Sequence, residues 1–409
     1  MQTHDALLNF LNAQLAPSLD LLRQMVAINS HTLNREGVRR LSALTADAFA
    51  PLGFTAETVA SINPNFGEHL VLTRRGTGDA QVGFISHLDT VFTAEEEARN
   101  EFQWRVEGDR IYGPGTEDVK GGTVMMLMVL AALREVAREV FERTNWVVLL
   151  DASEEVQSAD FGKLCVERLQ NAKAALVFEA GMRPGNGFQF VTARKGRASF
   201  RIEVEGRGAH AGGVHARGAS AIAQLAHTIQ RVEALTDHAR GLTFNVGTIA
   251  DGSAVNRVPH HASAAAEMRA FSVETYQEGL KRLKALEQEI SVRSVADGFS
   301  CQVRITVENE TPPWPPNEAT EGLFQVFAKT GAELGFDVIR EERGGISDGN
   351  YLWHAVPTLD GLGPNGEHAH CSERSADGSK DQEYVEPSSF VPKAVLNVRA
   401  LMRLLENES

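Results

Sequence analysis

Three uninterrupted apolar runs constrain this chain more than any other feature: residues 82–86 (VGFIS), 146–150 (WVVLL) and 175–178 (ALVF). A strand with one wet face alternates apolar and polar side chains. A short run without alternation suits a strand buried on both faces. Between the first two runs, residues 123–140 read as an apolar-rich helix carrying Met125, Met126, Leu127, Met128, Leu130 and Leu133. Strands separated by helices of this length predict an α/β sandwich, with a mixed, mostly parallel sheet covered by helices.

Around these runs sit clusters of acidic and histidine residues. They are Ser86-His87-Leu88-Asp89, Glu117-Asp118-Val119-Lys120-Gly121-Gly122, Asp151-Ala152-Ser153-Glu154-Glu155 and Phe178-Glu179-Ala180-Gly181. A fifth, His368-Ala369-His370-Cys371, lies near the C-terminus. Read singly, a strand-end carboxylate is a helix cap or a solvated loop residue. Read together at successive strand ends, they offer the oxygen and imidazole ligands of a two-metal hydrolytic centre. Open α/β sheets carry their sites on that carboxyl edge.

The texture changes near Arg194. Ala198, Phe200, Ile202 and Val204 alternate with Ser199, Arg201, Glu203 and Glu205, as in a half-exposed strand. A helix over 219–235, strands over 242–249 and 261–271, a polar helix over 273–290 and a strand over 301–307 follow. This β-α-β-β-α-β order is a self-contained two-layer α+β unit. It is expected to be an inserted domain, 192–310, between catalytic parts 1–191 and 311–409. The proline-rich stretch 311–316 (TPPWPP) marks the return. Helix and strand patterns resume at 323–334 and 338–340, and 390–405 reads as an amphipathic helix.

At 409 residues the chain is too long for one ordinary core, so about two domains are expected. A net charge of −14 argues against nucleic acid and anionic membrane as partners. A local pocket can still oppose that sign for an anionic substrate. Three cysteines, odd in number and far apart, suit a reducing compartment better than a disulfide framework. The N-terminus lacks a basic segment followed by an apolar one, and no 18-residue apolar run exists, so the cytoplasm is the expected location.

His87 and Asp89 are two apart at a strand end. Residues i and i+2 point to one side of a strand, which lets Asp89 accept the proton on the far ring nitrogen of His87. Asp118 lies in a glycine-rich turn opening a helix, and one carboxylate with two free oxygens can bridge two metals. Glu154 and Glu155 are adjacent, point apart and suit different tasks, one binding metal and the other handling the proton of the attacking water. Glu179 adds a further ligand.

The set Ser86-His87-Leu88-Asp89-Thr90-Val91, Gly113-Pro114-Gly115 with Asp118-Val119-Lys120-Gly121-Gly122, Glu154-Glu155, Glu179 and a late histidine resembles the zinc aminoacylase/exopeptidase family. Within it the chain is most similar to bacterial glutamate carboxypeptidases that hydrolyse folates. The resemblance implies two zinc ions per chain. His87 and Glu179 would hold one, Glu155 and His370 the other, and Asp118 would bridge them. Asp89 would orient His87, and Glu154 would be the general base. The Asp118–Val119 peptide is expected to be cis. His370 is preferred to His368, although Glu383-Tyr384-Val385 comes later than in the family, after an insertion over 373–382.

The resemblance extends to the inserted domain as a lid and dimerisation unit. His210, in Gly208-Ala209-His210-Ala211-Gly212, would reach the partner protomer's site and hydrogen-bond the oxyanion, so a homodimer is expected. Asn256 and Arg269 match positions that hold the substrate's carboxylate and carbonyl. A plain ion pair of Arg269 with Glu267 is the competing reading. The 344–349 loop, with Gly345, matches a substrate loop. Hinges are expected near 192–194 and 311–316. One departure stands out: Thr311-Pro312-Pro313-Trp314 has no arginine where glutamate-binding relatives often carry one, and Trp314 is a candidate apolar wall instead. The function implied is hydrolysis of a peptide or N-acyl amide bond beside a free carboxylate. Deacylation of N-acyl amino acids, desuccinylation or amine release are the alternatives, and a non-catalytic metal-binding protein is the remote one.

Overall fold

The computed structural model describes residues 2–156, 159–182 and 184–406. The chain divides into two compact units: 1–192 with 316–342 and 347–409, and 193–315 with 343–346. The second unit thus takes in a short downstream segment, 343–346, as well as the continuous stretch.

The first unit begins with α1 (Gln2–Val26), α2 (Arg35–Phe49), β1 (Thr55–Ala60), β2 (Glu68–Arg74), β3 (Gln81–His87), α3 (Ala94–Arg99), β4 (Arg105–Glu107) and β5 (Arg110–Tyr112). It continues with α4 (Gly121–Val136), α5 (Arg138–Arg143), β6 (Asn145–Asp151), α6 (Ala159–Leu169), β7 (Ala174–Val177) and β8 (Gly187–Arg194). The second unit contributes β9 (Gly196–Glu205), β10 (Ala209–His210), α7 (Ala221–Glu233), β11 (Thr243–Ala250), β12 (Arg257–Val258), β13 (His261–Ala270), α8 (Val273–Ala285) and β14 (Gln302–Thr311). The chain then adds α9 (Glu318–Leu334), β15 (Asp337–Arg343), β16 (Thr358–Leu359), β17 (Gly366–Glu367), β18 (Tyr384–Val385) and α10 (Pro387–Glu406).

The central sheet has the order β1-β2-β6-β3-β7-β16. β6, β3, β7 and β16 run parallel, while at one edge β2 pairs antiparallel with β6 and β1 pairs antiparallel with β2. The unbroken apolar runs explain the burial. Val82 and Phe84 of β3, with Trp146, Val148 and Leu150 of β6, face a core shared with α1, α4, α9 and α10. Ile85, Val147 and Leu149, one residue out of phase, face Phe161, Leu164, Cys165 and Leu169 of α6. Period-two alternation is present, but both faces are apolar because helices cover both. The expected helix over 123–140 is two helices, broken at Ala137, whose φ of −138° leaves the helical region.

In the second unit the sheet order is β11-β13-β9-β14, all antiparallel. β9 and β13 bury alternate residues, which pack against α7 and α8 in a separate core. The other sheet face is left without a helix cover within this unit. Ser220 and Ser272 cap α7 and α8 by accepting the amides of Ala223 and Thr275, so both helices begin where the sequence provides an N-cap.

A small sheet, β17-β18-β5-β4, joins the turn before α4 to the late segment 366–385. It brings residues remote in sequence to the same side of the first unit. No helix among the described residues is long and apolar enough to cross a membrane.

Candidate metal centre

Parallel β6, β3 and β7 lie side by side, so their carboxyl ends open on one edge. His87 is the last residue of β3. Glu154 and Glu155 follow β6 across a turn, and Glu179 lies two residues past β7. Asp118 and His370 arrive differently. Asp118 is not at a central strand end. It sits in the Thr116–Lys120 turn between β5 and α4, and its peptide bond to Val119 is cis. That turn approaches the end of β7 closely: a Cβ on Gly122 would fall 1.9 Å from the Phe178 carbonyl oxygen, so only glycine fits. His370 lies past β17, with φ 65° in a turn closed by the Cys371 amide donating to the His368 carbonyl at 2.9 Å.

Five side chains converge. Asp118 Oδ1 lies 2.9 Å from His87 Nε2, and its Oδ2 lies 3.2 Å from His370 Nε2. Glu179 Oε1 is 3.7 Å from the same His87 nitrogen, and Glu155 Oε2 is 3.1 Å from that of His370. Two donor triads result, His87–Asp118–Glu179 and Asp118–Glu155–His370, with the ligand atoms in each within 4.8 Å of one another. His368 turns elsewhere, its ring edge-on to Tyr384 at 5.7 Å.

The electrostatics fit cations. Asp118 and Glu155 together push the His370 imidazole up to about 11. Burial opposes charge on His87, but the Asp118 and Asp89 carboxylates and the Glu179 charge hold its pKa well above the ordinary histidine range. Burial, then the Asp118 charge, push Glu155 up to about 7, and Glu155 Oε1 is buried without a hydrogen-bond partner. Burial likewise raises Glu154 well above the usual carboxylate range, with His87 opposing and the charges of Glu179, Glu155 and Asp118 adding to it. A bound cation would replace ring protons at such a site and would give the orphaned Glu155 oxygen a partner. Imidazole plus carboxylate is a donor set suited to zinc.

Asp89 departs from the reading that its carboxylate orients His87. The His87 Nδ1 hydrogen-bonds the Asp89 main-chain carbonyl at 3.0 Å, and the carboxylate Oδ1 is farther, at 3.5 Å. β3 ends at His87, so the same-side rule for i and i+2 lapses there. Instead the Asp89 carboxylate accepts the amides of Glu154 at 3.0 Å and Glu155 at 3.4 Å, and the Thr32 hydroxyl at 2.6 Å. It therefore anchors the turn that presents the two glutamates.

Other residues were not singled out by the sequence. Thr32 carries no local signal. Asp348, within the glycine-rich loop, is 4 % exposed; burial and the charges of Asp151 and Glu154 hold its pKa well above the ordinary range. Behind β6, buried His69 lies 3.1 Å from Asp151 and 3.3 Å from Asp160. Next to His370, a cavity of about 410 Å³ is lined by Glu96, His368, Cys371, Lys380 and others. Cys371 is exposed there rather than packed.

In the second unit, exposed His210 pairs with Arg257 across β10 and β12. Its Nδ1 accepts the amides of Gly212 at 3.1 Å and Gly213 at 3.0 Å. In the neutral ring the proton therefore sits on Nε2, which is a donor. Asn256 lies alongside, its carbonyl accepting the Ala211 amide at 3.0 Å. Arg269 is paired with Glu267 at 2.8 Å and donates to the Gly344 carbonyl at 2.9 Å. Arg194 Nη1 donates to the Gly345 carbonyl at 3.1 Å, which orders the loop at its other end. Trp314 is fully buried, so it offers no wall to a substrate, while Pro312 and Pro316 of the same stretch are exposed.

Comparison with known proteins shows the family. A family model described as peptidase family M20/M25/M40 matches residues 83–395. Carboxypeptidase G2 of Pseudomonas sp. (strain RS-16) is 26% identical over 388 residues, 94% of this chain and 88% of that one. Succinyl-diaminopimelate desuccinylase of Acidovorax ebreus (strain TPSY) is 27% identical over 386 residues, covering 87% of this chain and 92% of that protein. The crystal structure of a tripeptidase from Staphylococcus aureus superposes with a TM-score of 0.76 at 21% identity, covering 95% of this chain and 98% of that one. This chain therefore belongs to peptidase family M20/M25/M40 and is a metallohydrolase.

Proposed function

We propose that this chain is a di-zinc hydrolase that cleaves a peptide or N-acyl amide bond next to a free carboxylate, in the manner of a glutamate carboxypeptidase. The observation that carries the reading is the sharing of Asp118 by two donor triads. His87 and Glu179 would hold one ion, Glu155 and His370 the other, and Asp118 both. A zinc pair, when bound, acidifies a water molecule and polarises the scissile carbonyl.

Glu154 is the general base in this reading. Its carboxylate takes a proton from the attacking water and gives it to the leaving nitrogen. The C–O bond forms first, leaving the carbonyl oxygen as an oxyanion, and the C–N bond breaks as the proton reaches the nitrogen, so the proton balance closes. A carboxylate beside the ligand set but in neither donor triad is free to accept that proton and return it. The Asp89 carboxylate fixes the main chain beneath it.

His210, with its donor Nε2, would stabilise the oxyanion in a partner protomer's site, making the working form a homodimer joined through the second unit. Asn256, Arg269 and the backbone of Gly345 would receive the substrate's carboxylate and carbonyl. For Arg269 this requires the guanidinium to exchange or share its bond to Glu267. Three unpaired cysteines suit a reducing, cytoplasmic setting. The likeness to the desuccinylase supports a second reading, in which an N-succinyl or other N-acyl group is the one removed.

The test is a substrate panel of N-acyl glutamates, dipeptides and N-succinyl diamino acids presented to the zinc-loaded protein. Release of glutamate from its N-acyl derivatives is expected to be fastest. Preference for the N-succinyl compounds selects the second reading. A protein that binds zinc yet hydrolyses none of them overturns both.

A further inference from the structure

Glu383 is fully buried beside the metal centre and belongs to neither donor triad. Its Oε1 accepts two consecutive main-chain amides, those of Glu117 at 2.9 Å and Asp118 at 3.2 Å. The same residue is bonded through its backbone on both sides. Its amide donates to the Cys371 carbonyl at 2.8 Å, one residue past His370, and its carbonyl accepts the Gly113 amide at 3.4 Å. The next two residues, Tyr384 and Val385, pair with Tyr112 and Ile111 of β5 and with Glu367 and Gly366 of β17. One residue thus grips the turn bearing Asp118 with its side chain and the turn bearing His370 with its main chain.

Two amides in the Asp118 turn have no helical acceptor, because the turn precedes the first regular residue of α4. Loss of the Glu383 acceptor would remove its bonds to both amides, and a turn so altered relaxes toward any other acceptor. A shift of the Asp118 main chain would move the one carboxylate that faces both His87 and His370. The backbone bond to Cys371 also ties together the two ends of the 372–382 segment.

We propose that Glu383 is a positioning residue of the metal centre, a buried clamp that sets the bridging Asp118 against His370. This rests on the reading of Asp118 as the bridge. The clamp works by accepting hydrogen bonds, so glutamine serves in its place and an isosteric side chain without an acceptor does not.

The test compares E383Q with E383M, which fills similar volume without an acceptor. Two measurements are made on each purified full-length protein. One is amide hydrogen exchange of a peptide spanning 113–120 in the metal-free state. The other is zinc affinity by competition with a chromogenic chelator. In E383M the peptide is expected to lose protection and zinc affinity to fall by about 10–100-fold, while E383Q keeps both near the parent values. Unchanged exchange in E383M, unchanged zinc affinity in E383M, or equal damage in E383Q overturns the clamp. Should E383M fail to fold, E383Q decides alone, since a clamp of this kind requires it to retain both properties. A parent protein that binds no zinc refutes the metal reading instead, whatever the exchange data show.

Discussion

Asp118 Oδ2 stands 3.2 Å from His370 Nε2, although the second unit's sequence lies between the two residues along the chain. Its other oxygen is already committed to His87 at 2.9 Å. A carboxylate placed between two imidazoles in this way has both oxygens directed at separate donor sets, which is what a bridging ligand needs.

Removal of the base is expected to separate chemistry from metal binding. Glu154→Ala should lower kcat by ~10²–10⁴-fold. Zinc content, read by atomic emission, should stay at the parent value because Glu154 is in neither donor triad. Full activity in this variant contradicts the assignment.

The two late histidines should behave differently. His370→Ala removes a member of one triad and should cut zinc content from about two ions per chain to about one. His368→Ala removes only an aromatic contact with Tyr384 and should leave zinc content unchanged. The reverse pattern would show that the turn is arranged differently in solution.

His210 should act between protomers. His210→Ala and Glu154→Ala homodimers are each expected to be nearly inactive. Mixed after dissociation, they should regain about a quarter of parent activity, since half the dimers are hybrids with one intact site. No recovery in a mixture shown to exchange subunits means that the histidine serves its own chain.

Arg269 should govern substrate binding rather than turnover. Arg269→Ala is expected to raise KM for a carboxylate-bearing substrate by roughly tenfold or more, with a smaller effect on kcat. An unchanged KM would leave the Glu267 ion pair as its whole role.

His69 supplies a pH dependence of stability. Burial disfavours its charged form, but Asp151 and Asp160 overcome that and raise its pKa from 6.5 to about 9. A raised histidine stabilises the fold fully below its unfolded pKa and loses that contribution as pH rises through the folded value. His69→Gln should therefore cost ~3 kcal/mol near pH 6 and progressively less up to and beyond about pH 9. Above that range Nδ1 is free to accept the Ala152 amide, 3.2 Å away. Chemical denaturation of the metal-free pair of proteins at pH 6, 7.5 and 9 measures the gap. A gap that widens with pH contradicts the sign.

The sequence alone determined the α/β class, because unbroken apolar runs of strand length admit few other placements. Residue type and motif spacing also brought out the acidic and histidine clusters, and the family resemblance those motifs carry implied His87, Asp118, Glu155, Glu179 and His370 as the ligand set. The sequence did not determine which atoms meet. That Asp89 reaches His87 chiefly through its carbonyl and spends its carboxylate on the Glu154 turn depends on where β3 stops. That Trp314 is fully buried depends on how the second unit packs. Glu383 shows the difference most plainly: a glutamate in a late segment becomes the partner of two amides near residue 118 only after β18 pairs with β5. Side-chain chemistry is written residue by residue, whereas the approach of distant segments is set by sheet pairing and packing, which no local pattern encodes.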